Sequence, residues 1–205
     1  MKQSMPAKGG FMVAAAISIS LLTGCASNVK LPSTETNPPP AEVFSNFSDF
    51  ELKPMTRGAE CVQERGGDIA LTAIQAKLRV KIGKLIENWK QSPAPNATQR
   101  KLIIEPYCAS ARYVGKGARF GLGVMAGDSA VVLKMQYVDA SSGKIIASPV
   151  FYQKTNSFSG TFSWGATDTD MLERIASLIA VYTASNYEKA VGGPTGLDVQ
   201  TAAQN

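Results

Sequence analysis

Apolar residues recur along this chain with two different periods, and the switches between them mark out its elements. Over residues 47–55 the pair Phe50 and Leu52 falls on one face of a first strand, which Pro54 ends. Over 68–90, Ile74, Leu78, Ile82, Leu85, Ile86 and Trp89 return at every third or fourth position, the period of a helix with one buried face. Asp68 suits its N-cap, and Pro93, Pro95 and Asn96 form its stop. Residues 101–107 (KLIIEPY) predict a buried second strand, and the helix joining it to the first makes a right-handed βαβ unit. Val131, Leu133, Met135 and Tyr137 alternate cleanly over 129–138, Asp139 to Gly143 carry turn chemistry, and 144–154 returns as the partner strand. A last helix over 167–189 turns Met171, Leu172, Ile175, Leu178, Ile179 and Tyr182 inward, with Thr167 and Asp170 at capping-box spacing. The expected fold is α+β: a mixed β-sheet with two long helices packed on it, a βαβ unit followed by a β-hairpin and a C-terminal helix.

The two ends break this rhythm. Lys2 and Lys8 precede an apolar run over 11–22 that is shorter than the about 20 residues a membrane-crossing helix needs, but suits the core of a secretory signal peptide. That run ends in Leu22-Thr23-Gly24-Cys25, which resembles the lipobox of bacterial lipoproteins. The resemblance implies cleavage after residue 24, a diacylglycerol on the Cys25 thiol and frequent acylation of the new amino group. Two or three acyl chains anchor firmly, since each buried CH₂ contributes about 0.8 kcal/mol. In that family an Asp after the cysteine favours retention at the inner membrane; Ala26 stands there, which implies outer-membrane sorting. Residues 25–43, with Pro32, Pro38, Pro39 and Pro40 among Ser, Thr and Asn, have the composition of an extended tether, able to reach roughly 50 Å at about 3.1 Å per residue. Residues 192–205 read as a disordered tail. One domain, 44–191, lies between them, large enough for a real core.

Charge and cysteine count agree with export. The net charge of +5 falls to +3 once Lys2 and Lys8 are removed, a mild basicity that does not suggest a nucleic-acid partner. With Cys25 acylated, Cys61 and Cys108 remain as an even pair in an oxidising compartment. The βαβ unit places both at the same edge of the sheet, which favours a disulfide over two separate buried thiols.

Gly117-Ala118-Arg119-Phe120-Gly121-Leu122-Gly123, followed by VVLKMQYVDASSGKIIAS, resembles a pattern shared by the amino-terminal domain of the Tol-Pal system's periplasmic protein and the curli-secretion lipoprotein. With the lipobox included, the chain is similar to a family of bacterial lipoproteins known as a domain of unknown function. The resemblance implies that Asp139, Gly143 and Lys144 form the hairpin turn, and that Gly121 and Gly123 let the backbone pass close to a neighbour. This chain departs from the Tol-like pattern in leaving little room for a helix between the second strand and Gly117.

There is no histidine, which removes the commonest general base and the usual zinc sites. Gly160 to Gly165 misses the nucleophile-elbow spacing by one, and Gly115 to Gly127 matches neither a P-loop nor a dinucleotide fingerprint. Asp168 and Asp170 sit where a helix dipole favours acids. No catalytic residue, metal site or cofactor is expected. Phe158, Phe162 and Trp164 alternate with Ser and Thr, as Phe120, Leu122 and Val124 alternate with glycine and Met125, so these stretches suit sheet edges, an aromatic patch for a partner protein, or strands of an oligomeric pore. Lys77, Lys81 and Lys84 align on one helix side, either as a solvated face or as a contact for anionic headgroups or glycan. The expected function is a lipid-anchored periplasmic binding or accessory lipoprotein with a membrane attachment and an envelope protein partner; the alternative is a subunit of a curli-like oligomeric secretion channel. The sequence names neither the partner nor the oligomeric state.

Overall fold

The computed structural model describes residues 29–61, 65–114, 128–155 and 166–197. Its centre is a long strand, β4 (Thr98–Arg112), flanked antiparallel by β5 (Ala130–Asp139). Two short strands in succession, β2 (Phe47–Leu52) and β3 (Thr56–Cys61), pair parallel with the other edge of β4. Two more, β6 (Ile145–Ala147) and β7 (Val150–Lys154), pair antiparallel with β5. Between β3 and β4 runs α1 (Arg65–Gln91), and α2 (Ala166–Ser185) follows β7. The architecture is the expected α+β one, two helices on one face of a mixed sheet.

Proline explains why both outer lanes of the sheet are broken. Pro54 separates β2 from β3 and Pro149 separates β6 from β7, each removing a ladder donor. Pro106 lies inside β4, a position that a central strand normally rejects. It is tolerated because its imino side faces the gap. The Ile104 carbonyl accepts from the Lys53 N–H (2.9 Å) and the Pro106 carbonyl from the Thr56 hydroxyl (3.4 Å), so the missing N–H points at the break between β2 and β3.

Core formation follows the helical stripes. Ile74, Leu78, Ile82 and Trp89 of α1 and Met171, Ile175, Ile179 and Tyr182 of α2 are buried against Leu102, Ile104, Leu133, Met135, Tyr137 and Phe151 of the sheet. Tyr137 lies in the middle, stacked on Phe44 at 4.6 Å between centroids, while its hydroxyl meets that of Thr183 at 2.6 Å. Burial pushes the Tyr137 hydroxyl well above the usual phenol range, against the opposing effect of its Thr183 hydrogen bond. Tyr182, pushed up to about 12 by burial, donates to the Pro38 carbonyl at 3.0 Å.

Several sequence expectations need correction. The first strand does not run over 47–55 as one piece: it ends at Leu52, and a further strand, β3, precedes the helix. β3 (TRGAEC) carries no apolar alternation because only Cys61 on it is buried. Over the described residues, 29–43 of the tether and 192–197 of the tail, the chain is not free. Thr36–Asn37 form a strand, β1, antiparallel to Gly193–Pro194, β8. The tail is held because the buried Asn186 side chain at the end of α2 donates to the Gly192 carbonyl and accepts from the Val191 and Gly192 N–H groups, each at 2.9 Å. Gly192, at φ +75°, passes so close to residues 37–39 that a Cβ there would lie 2.4 Å from the Asn37 carbonyl oxygen. Among the described residues, no helix is long and apolar enough to cross a membrane.

Candidate functional site

The N-terminal arm and the C-terminal segment together cover the free edge of β7. Asn37 does this with its side chain: its amide donates to the Val150 carbonyl at 2.9 Å and accepts from the Val150 N–H at 2.7 Å, replacing a neighbouring strand. Two residues on, the Tyr152 N–H donates to the Thr195 carbonyl, and further back along the arm the Ala41 N–H donates to the Ile146 carbonyl. An edge strand left bare is a template for pairing with another chain. Here that edge is occupied. Because Ala41 sits beside β6, Asn37 beside the start of β7 and Val29 among Ala130, Val132 and Tyr152, the arm runs back toward the end of the molecule where β5 begins and β7 ends.

That end, the loop pole, holds the cysteine pair the sequence singled out. The first turns of α1 and α2, the end of β4 and the start of β5 meet there around a small apolar cavity of about 10 Å³, lined by Leu71, Ile74, Ala111, Tyr113, Val131 and Met171 among others. It has room for no more than a single water, and its walls give that water few partners. Cys61, the last residue of β3, is bridged to Cys108 of β4, with Cα atoms 5.8 Å apart and both side chains buried. The bridge joins neighbouring parallel strands close to this pole. Arg57 of β3 reaches Asp68 in the first turn of α1 and ties the same region together.

The hairpin turn lies at the opposite pole. Asp139, Gly143 (φ +71°) and Lys144 close it, with the Gly143 N–H donating to the Asp139 carbonyl at 2.8 Å and the Asp139 N–H to the Lys144 carbonyl at 2.9 Å. The Asp139 carboxylate is nearly enclosed and accepts from the Ser141 hydroxyl (2.6 Å) and N–H (2.9 Å), the Ser142 hydroxyl (3.0 Å) and Arg100 (3.0 Å). These donors, Ser141 first, hold its carboxyl far below the usual carboxylate range. Arg100 also grips Glu42 with both terminal guanidinium nitrogens, Nη1 at 3.2 and Nη2 at 2.8 Å, which lowers the Glu42 carboxyl in turn. The guanidinium lies 4.4 Å from the Phe47 ring centroid. Arg100 thus ties the Asp139 turn to Glu42 of the arm, and the cluster acts as a clamp on the arm.

Lys77 and Lys81 are not a free cationic stripe. They hold Glu173 of α2 at 2.7 and 2.6 Å, and only Lys84 of the three is fully exposed. Their spacing is legible, but their partner sits more than 90 residues away in sequence and becomes visible only through the packing of α1 on α2. Cys25, Gly121 and Gly123 lie outside the described residues, as do Phe158, Phe162 and Trp164. Among the described residues, no group of three or more Cys, Asp or Glu is placed to hold a metal ion. Asn37 gives no signal in the sequence: inside Thr-Asn-Pro-Pro-Pro nothing distinguishes it from linker composition.

No family model matches this chain, and no curated protein matches it. Among solved structures, similarity extends to the PelC dodecamer from Paraburkholderia phytofirmans (13% identity, 70% of this chain and 94% of that one, TM-score 0.36). A Xanthomonas campestris protein, XCC0632, of family DUF330, is similar at 11% identity over 85% of this chain and 98% of its own, with TM-score 0.37. Lipoprotein GNA1162 from Neisseria meningitidis is similar at 17% identity over 63% and 98%, with TM-score 0.30. Likeness at these scores carries no argument about what this chain does.

Proposed function

We propose that the protein is a lipid-anchored, periplasm-facing lipoprotein of the bacterial outer membrane that works by binding an envelope partner and not by catalysis. The observation that carries this reading is the Cys61–Cys108 disulfide, built into the sheet between two paired strands with both cysteines in the core. Such bridges belong to oxidising compartments, which is where a chain with a signal-peptide-like start and Cys25 in a lipobox would be delivered. Ala26 after Cys25 favours the outer membrane over the inner one. The lack of histidine and the structural use of Asp139, held by Ser141, Ser142 and Arg100, support binding over chemistry.

Mass analysis of protein extracted from membranes tests the anchor: a two- or three-chain lipid on Cys25 is expected, and Cys25→Ala should leave the membrane fraction. An unmodified Cys25, or an alanine variant that fractionates as before, overturns the reading. Size analysis of the detergent-extracted protein separates the binding module from a curli-like channel subunit. A monomer or dimer is expected; a ring-sized, heat-resistant oligomer would favour the channel.

A further inference from the structure

The docked arm leaves almost no slack between the proposed anchor and the folded domain. Val29 packs on the outer face of the sheet against Ala130, Val132 and Tyr152, at the loop pole. Only four peptide units separate it from Cys25. At no more than about 3.6 Å per residue, they span at most about 14 Å. The polar layer on one side of a bilayer is itself roughly 5–8 Å thick, taking a total of about 40–45 Å around a core of about 30 Å. Between about a third and a half of the leash is therefore spent crossing headgroups, and what remains is less than about 10 Å.

We infer that the domain does not hang on a 50 Å tether but rests with its loop pole on the membrane surface, and that the phospholipid headgroup layer is the occupant of that pole. The inference rests on the anchoring at Cys25 proposed above. Two described apolar side chains at this pole fit a lipid contact: Leu31, 50% exposed two residues after Val29, and Ile69, 73% exposed in the first turn of α1. Among the described residues, these two side chains stand half or more exposed to solvent at this end. The orientation follows from the strands. β5 leads away from the pole over ten residues, so the turn at Ser141 and Ser142 stands about 34 Å farther out, facing the periplasm. The arm keeps this geometry only while Asn37 and Thr195 hold it to β7.

A photo-cross-linking residue, p-benzoylphenylalanine, placed singly at Leu31, Ile69 or Ser142 of the full-length protein in native envelopes tests the arrangement. Intact mass first establishes that each variant carries acyl chains on Cys25. Lipid adducts at Leu31 and Ile69 are expected at five times or more the yield at Ser142. Inserting twenty Gly and Ser residues between Ser27 and Asn28 should cut the Ile69 yield at least threefold without changing the acyl mass. Equal yields at Ile69 and Ser142, or a yield that ignores the longer leash, would overturn the orientation while leaving the anchor intact. Absence of the acyl mass would overturn the anchor itself, a separate and distinguishable failure.

Discussion

Asn37 offers the most direct test of the covered edge, because one side chain does the work of a strand. Replacing it with alanine removes both hydrogen bonds to Val150 and a longer one, 3.4 Å, to the Pro194 carbonyl. A buried group left without its partner costs about 1–3 kcal/mol, and two such groups would give the sum. Val150 is half-buried, so water recovers part of the loss and the expected cost settles near about 2 kcal/mol. For a domain of this size that lowers Tm by about 4–8 °C. Asn37→Asp sharpens the reading. Its carboxylate still accepts from the Val150 N–H but opposes the Val150 and Pro194 carbonyls, so at pH 7 it should be no better than alanine. Below about pH 4 the protonated acid regains a donor, and its deficit against the natural protein should shrink. Calorimetry on the three proteins across pH decides the matter. With the edge bare, the alanine variant should also self-associate on a sizing column at concentrations where the natural protein does not. A Tm change below 1 °C, with the arm as resistant to protease as before, would refute the claim that Asn37 fastens the arm.

Three further predictions concern the remaining ties. The Cys61–Cys108 bridge spans 47 positions, so in the chain-entropy model it contributes about 4 kcal/mol; urea unfolding of the Cys61→Ser, Cys108→Ser double variant should show that loss, and an unchanged midpoint would contradict it. The lowered carboxyls of Asp139 and Glu42 stabilise the fold above the ordinary carboxylate range and lose that contribution as pH falls, because the unfolded chain takes up protons near pH 4 while the folded one still resists. Arg100→Ala should therefore destabilise at pH 7 and less at pH 2.5, chiefly through the lost Glu42 pair, since Ser141 still holds the Asp139 carboxyl down; denaturant titration at each pH follows this, and a difference independent of pH would show that Arg100 acts by packing on Phe47 alone. Glu173→Gln, which loosens the partly exposed Lys77 and Lys81 pairs, should cost about 0.5–1 kcal/mol at low salt and nearly nothing in 1 M NaCl, and a salt-independent loss would argue that these pairs are not electrostatic.

What could be seen in the sequence was whatever repeats within an element. Ile74, Leu78 and Ile82 or Val131, Leu133 and Met135 declare a period because every turn of a helix, or every second residue of a strand, meets the same core. β3 escaped because an edge strand with a single buried residue has nothing to repeat. The pairing of Cys61 with Cys108 could be argued ahead of the structure, since the βαβ handedness brings both to one sheet edge. The pairing of Lys77 and Lys81 with Glu173 could not, because it depends on how α1 and α2 cross.

The arm is the instructive failure. Proline-rich polar chain usually stays extended and solvated because it buries too little apolar surface to offset the entropy of ordering it. Here the missing apolar burial is replaced by backbone demand: β7 carries unpaired N–H and C=O groups on its outer edge, and the arm satisfies them with Asn37 while Gly192 gives it room to lie close. Such a fit leaves no trace in composition, since its driving force resides in the strand being covered and not in the segment doing the covering. The same exchange has a consequence for the membrane. Every residue of the arm that docks on β7 is one less residue of reach for Cys25, so the hydrogen bonds that protect the sheet edge also set how near the domain stands to the bilayer.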